Sequence, residues 1–195
     1  MGKYFKKLIG QRVYLSPFSG SDEEIELLTK WTNDFRVTDG LGMSHILQSF
    51  NSEKAWIDNA MNVREDRREF AIIDLETDRI IGSCNLFNIR PVERAAEIGI
   101  LIGEEEMRGK GIGVEALKLL CDYGFNYLGL HNIRLGYSDN NEQARKAYTK
   151  AGFQEVGRTR ETNYINGKFI DNITADILEN EFREKFGDVI QNKNL

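Results

Sequence analysis

Three glycines and two cations separate an apolar run from a helical run at Arg108-Gly109-Lys110-Gly111-Ile112-Gly113. Glycine lets a backbone approach a ligand with no Cβ in the way, and the first N–H groups of a helix have no partner inside it. A helix dipole adds about half a positive charge at that end, and Arg108 and Lys110 place full charges beside it. These residue types in this order suit a cradle for phosphate or pyrophosphate. A second set, Asn141, Ala144 and Tyr148, is spaced by three and four residues, which puts all three on one face of a helix. The small Ala144 leaves room between the two polar groups.

Besides a plain tight turn from strand to helix, three anion-binding patterns compete for the glycines. A P-loop needs Gly-Lys followed by Ser or Thr, and neither follows here. A dinucleotide fingerprint is met by Gly111, Gly113 and Ala116, with Asp139 after the next strand, which would make the chain an NAD(P)-dependent oxidoreductase. That fold wants its glycines directly after the first strand, with further βα units behind them. Here residues 103–107 intervene, three of them Glu. The third pattern, Arg-x-x-Gly-x-Gly, fits without adjustment.

Residues 108–113 resemble the pyrophosphate loop of the GNAT superfamily of acetyl-coenzyme A-dependent N-acetyltransferases, [Arg/Gln]-x-x-Gly-x-[Gly/Ala]. Residues 141–153 resemble that family's Asn-x-x-Ala-x-x-x-Tyr-x-Lys-x-Gly-Phe. The resemblance covers about residues 10–182 of one domain spanning 1–195, and 157–168 are similar to the RimJ/RimL and spermidine acetyltransferase branch. It implies an α+β fold with a mixed, mostly antiparallel sheet, splayed middle strands and helices on both faces. It also implies acetyl-CoA as acyl donor, with Arg108, Gly109, Lys110, Gly111, Ile112 and Gly113 at its pyrophosphate and Asn141 at its pantetheine arm. Backbone donors of Leu101 and Ile102, freed by a mid-strand bulge, would hold the thioester carbonyl. The acceptor would be a primary amine: a polyamine, a protein N-terminus or another small amine. A homodimer is a family expectation.

The same resemblance places Tyr148 near the thioester. With a reference pKa of about 10 against about 8.5 for a thiol, its phenol stays protonated at neutral pH and can give a proton to the leaving thiolate. An attacking amine must first lose its own proton, and Glu97, in an Ala-Glu-Ile-Gly match to the branch, is the candidate base. A catalytically silent acyl-CoA sensor is the alternative from another class. Asp39 and His45 lie in the polar stretch 33–49 that would border the acceptor. For the second helix, Asp139, Asn140 and Asn141 are all suited to the N-cap, and Asn140 with Gln143 resembles a capping box.

The positioning elements follow from periodicity. Strands are expected at residues 12–17, 69–74, 80–88, 95–102, 133–138, 154–164 and 169–178, and helices at 22–33, 52–64, 114–128 and 141–151. Asn166-Gly167 marks a hairpin turn. The mixture is neither a clean βαβ repeat nor all antiparallel, which fits an α+β layer with helices on both sides. A net charge of −5 argues against a general nucleic-acid binder and agrees with a cationic acceptor. Two cysteines, Cys84 and Cys121, are too few for a disulfide framework or a metal site and read as core residues. The start of the chain has no signal-peptide core, no segment is long enough to span a bilayer, and the expectation is a cytoplasmic enzyme.

Overall fold

Alternation along a strand sends successive side chains to opposite faces, so a sheet whose apolar runs are nearly continuous must be covered on both sides. The computed structural model describes residues 3–191, and they are arranged in this way. In chain order the elements are β1 (Leu8–Ile9), β2 (Val13–Ser16), α1 (Asp22–Thr32), α2 (Phe35–Thr38), α3 (Phe50–Ala60), β3 (Arg68–Asp74), β4 (Ile80–Arg90) and β5 (Ala95–Ile102). There follow α4 (Ile112–Tyr127), β6 (Asn132–Ser138), α5 (Glu142–Ala151), β7 (Gln154–Ile165), β8 (Lys168–Leu178) and α6 (Glu179–Phe186). The strands form one sheet in the order β1-β2-β3-β4-β5-β6-β8-β7.

Every neighbouring pair is antiparallel except β5 and β6, which run parallel and pair only at Ala95–Asn132, Ala96–Ile133 and Glu97–Arg134. Beyond Glu97 the two strands part. This is the α+β, mostly antiparallel sheet with splayed middle strands that the sequence led us to expect. On one face Ala96 and Ile98 of β5 pack with Leu117 and Leu120 of α4 and Phe182 of α6. On the other, Tyr14 and Ile73 pack with Ile25, Leu28 and Trp31 of α1 and Ile57 of α3. Cys84 and Cys121 are buried and free, and burial pushes both thiols up, so neither offers a ready thiolate. No helix among the described residues is long and apolar enough to cross a membrane.

Local signals explain the ends of the elements that matter for the site. Asn141, rather than Asp139 or Asn140, caps α5: its side chain accepts from the Ala144 amide at 3.0 Å. The same helix ends at Gly152, whose φ of 101° is a left-handed C-cap. Asn166 and Gly167 turn the β7–β8 hairpin with φ of 50° and 79°, the positive pair that a two-residue hairpin turn requires. Three elements had no visible sequence pattern. β1 has two residues and α2 four, too few to show a period, and α6 is so polar that only Phe182 is buried.

β5 leaves the sheet at Gly103, packed against the indole of buried Trp31 so closely that an added Cβ would lie 1.9 Å from the ring. The backbone there is not left-handed, so the demand for glycine is steric alone. Gly103→Ala should therefore destabilise by about 1–3 kcal/mol through overpacking, each kcal/mol lowering Tm by roughly 2–4 °C in a domain of this size. An unchanged melting temperature would show that Trp31 yields freely.

Candidate active site

Where β5 and β6 part, a cavity of ≈ 540 Å³ opens, walled by β5, the glycine loop, α4, α5, the turn at 39–41 and the tip of the β7–β8 hairpin. Its lining includes Leu101, Ile102, Arg108, Gly109, Gly111, Gly113, Asn141 and Tyr148. The two sequence motifs, some thirty residues apart, thus meet across one space because α4 and α5 pack side by side.

The glycine loop divides its labour between conformation and access. Gly109 and Gly111 have φ of 72° and 82°, a left-handed backbone that only glycine adopts easily. Gly113 has no such constraint, and a Cβ on it would meet Ile102 and Ile100 side chains only at ordinary contact distances of 3.6 and 3.7 Å. The amides of residues 109–114 find no acceptor among the described residues, and Gly111 caps α4 without a side chain. The result is a row of unpaired N–H groups at the positive end of a sixteen-residue helix, a donor set that fits a pyrophosphate.

The cations are used differently from the sequence-based expectation. Arg108 is spent on structure: Nε donates to Ile102 O at 3.0 Å, Nη2 to Gly103 O at 2.8 Å and Nη1 to Arg36 O at 3.4 Å. Lys110 is exposed and lies outside the cavity lining, as does buried Ile112, so their contribution to the cradle is through backbone. Two residues absent from the sequence reading hold the loop. Glu115 Oε1 accepts from the amides of Gln11 and Arg12 at 2.7 and 2.8 Å, its Oε2 pairs with Arg12 Nε at 3.0 Å, and Arg12 Nη1 donates to Lys110 O at 2.7 Å. A glutamate in a helix's first turn is ordinary in a sequence, and nothing in it signals a partner a hundred residues earlier.

The β5 ladder decides which backbone donors face the opening. The Leu101 carbonyl points toward β4, where a Cβ on Gly82 would meet it at 2.2 Å, and Gly103 N donates to Ile81 O. Odd-numbered residues therefore turn their backbone to β4, and Ile100 and Ile102 turn theirs to the open side. No bulge is needed: β5 keeps regular register from Glu97 to Ile102, and the irregularity lies in β4, near Asn88. The splay itself frees the donors.

The Tyr148 ring packs tilted against Tyr137 at 5.4 Å and edge-on to Phe153 at 6.1 Å. The Tyr137 hydroxyl is committed to Glu155, whereas that of Tyr148 has no partner among the described residues. Burial pushes the Tyr148 phenol up to about 12. Asn141 reaches the cavity too, with its Nδ2 donating to Gly40 O at 3.2 Å and one amide proton to spare. Glu97 does not line the cavity. It sits where the parallel ladder ends, paired with Arg134 at 2.7 Å and bonded by Asn88 at 3.1 Å. Partial burial works against its charge, but the bonds from Arg134 and Asn88 outweigh it and hold the carboxyl below the usual glutamate range. His45 is exposed and outside the lining, while Asp39 lines it.

A mostly antiparallel sheet with one splayed parallel pair excludes the dinucleotide-binding arrangement, which needs successive parallel strands around the glycine turn. The profile of the acetyltransferase (GNAT) domain matches residues 12–154, and the chain belongs to that family. It is 31% identical over 175 residues to the probable N-acetyltransferase YjcK of Bacillus subtilis (strain 168), covering 88% of this chain and 96% of that one. It is 36% identical over 101 residues to a spermidine N(1)-acetyltransferase of Escherichia coli (strain K12), covering 52% of this chain and 54% of the relative. The crystal structure of a spermidine N-acetyltransferase from Vibrio cholerae in complex with CoA and spermine superposes with a TM-score of 0.78. At 24% identity, over 88% of this chain and 98% of that one, this is a likeness of fold. The protein is accordingly an acetyl-CoA-dependent N-acetyltransferase that moves an acetyl group to an amine.

Because Gly113 is not demanded by conformation, it is the position at which to test the cradle. Gly113→Ala should bind acetyl-CoA within a few-fold of the parent, whereas Gly113→Asp, which sets a carboxylate beside the pyrophosphate, should weaken calorimetric affinity by roughly tenfold or more, about 1.4 kcal/mol. The deficit should shrink at high salt as the repulsion is screened. Equal affinity of the two variants would remove the 109–114 amides as the anion site.

Proposed function

We propose that Tyr148 is the general acid of direct acetyl transfer from acetyl-CoA to a primary amine, with no acyl-enzyme. The observation that carries this reading is an unpartnered, half-buried phenol sharing one cavity with the unpaired amides of the glycine loop. Acetyl-CoA supplies an activated thioester. The amides of residues 109–114 hold its pyrophosphate, and the spare proton of Asn141 reaches its pantetheine amides. On β5, Ile102 and its neighbour Ile100 offer N–H groups to the negative charge that grows on the thioester oxygen during attack. This assignment shares the role expected of Leu101 and Ile102 differently: Ile102 supplies backbone, and Leu101 its place in the wall. As the carbon–sulfur bond breaks, the Tyr148 hydroxyl gives its proton to the departing sulfur, and solvent restores it.

Glu97 fits the role of base poorly, since its lowered pKa and its bond to Arg134 both oppose proton uptake. We read it as the pin at the vertex of the strand fork, with water carrying the amine proton away. The acceptor is a small or peptidic amine, and the relatives that act on spermidine favour a cationic one.

Tyr148→Phe should lower kcat by about 10²- to 10⁴-fold while acetyl-CoA affinity stays within a few-fold, because the ring and its packing remain. Unchanged kcat would remove Tyr148 as the acid, and a wild-type protein that binds acetyl-CoA but acetylates no amine would favour the sensor alternative. With the phenol pushed up to about 12, the acid form persists through the alkaline range. The rate should thus rise with pH as the amine deprotonates and not fall before about pH 10. A decline centred near pH 8 would point to another acid.

A further inference from the structure

The cavity wall is uneven in charge. Arg36, Arg108, Lys146 and Lys150 line it, and Asp39 is the one carboxylate among the described lining residues. Arg36 is paired with Asp34 and Glu105, and Arg108 is bonded to three backbone carbonyls, yet no Lys, Arg or His among the described residues pairs with Asp39. Its two oxygens are held by neutral groups alone. Oδ1 accepts from the Ser44 hydroxyl, and Oδ2 accepts at 3.0 Å from Nδ2 of Asn166, which the left-handed hairpin turn brings in from 127 residues away. Such partners fix the position of a carboxylate without cancelling its charge, and each oxygen keeps a further lone pair.

Its place relative to the chemistry follows from α5. Gly40, next to Asp39, is bonded through its carbonyl to Asn141 at the start of α5, and Tyr148 lies seven residues further along that helix. At 1.5 Å per residue this is roughly 10 Å. A carboxylate at the reacting nitrogen would favour the ammonium form, which has no lone pair for attack. One held by the N-terminal end of α5, away from the turn that carries Tyr148, avoids that cost, and it can hold a second cation of the same molecule.

We infer that Asp39 is a specificity-determining residue: it binds the distal ammonium of a di- or polyamine whose other amine reacts beside Tyr148. The inference rests on the reading of this cavity as the acetyl-transfer site. Ser44 and Asn166 orient the carboxylate, so closure of the hairpin tip against the 39–41 turn completes the acceptor site.

The test compares spermidine with hexylamine, a shorter chain that still reaches past the position of spermidine's secondary amine and carries no second charge. Both are titrated calorimetrically into CoA-loaded wild type and Asp39→Asn, and both are assayed for acetylation. Asparagine keeps one acceptor for Asn166, can donate its amide to the Ser44 hydroxyl, and removes the charge. Wild type should prefer spermidine, and Asp39→Asn should weaken spermidine in Kd and KM by roughly tenfold or more. Hexylamine affinity, acetyl-CoA affinity and kcat should stay within a few-fold. Equal preference in wild type, no spermidine loss in the variant, or a parallel loss for both amines would each overturn the inference. If neither amine is acetylated, the acetyl-transfer reading of the cavity fails, while the binding contrast still decides for or against Asp39.

Discussion

The site depends on one interruption in the sheet. Among the described residues, strands β5 and β6 are the only parallel neighbours, and they share three register positions before separating beyond Glu97 and Arg134. Unpaired backbone inside a protein is costly unless something satisfies it, so a strand that loses its neighbour exposes donors with unused capacity. Here they face a cavity. The Glu97–Arg134 ion pair, at 2.7 Å, lies at the last paired position and pins the place where separation begins. The carboxylate that the sequence offers as a candidate base is, on our proposal, the pin of this fork.

The donor capacity of the glycine loop is likewise a property of backbone more than of side-chain charge. Arg108 faces the carbonyls at the end of β5, and Glu115 with Arg12 ties the loop to the turn between β1 and β2. The charged side chains hold the loop in a shape that leaves its amides unpaired. This preorganisation matters because donors already in place need not reorganise when charge develops. Gly103 serves the same end, since its closeness to Trp31 sets the direction in which the chain leaves the sheet.

In the site we propose, chemistry and recognition are borne by different parts of the chain. Tyr148 belongs to a regular helix packed on the core, and its ring is fixed by Tyr137 and Phe153. The acceptor end is built from the 39–41 turn and the hairpin tip, which meet through Asp39 and Asn166. Loops carried on a rigid scaffold can vary without disturbing the fold. This separation allows one transfer apparatus to serve many amines.

The sequence alone determined the elements with a strong period and the groups that chemistry requires. The strand of residues 95–102, the glycine loop, the Asn141–Tyr148 face and the Asn166-Gly167 turn are all local patterns, because periodicity, capping and positive φ are decided within a few residues. Only tertiary structure decided which partners those groups meet. Spacing does not show that Glu97 is bonded by Arg134, 37 residues on. Arg108 could not be told from a phosphate ligand until its carbonyl partners were seen, and Asp39 had no meaning without Asn166. Each of these roles is set by a partner distant in the chain, and sequence spacing carries no record of which distant groups folding will bring within hydrogen-bond reach.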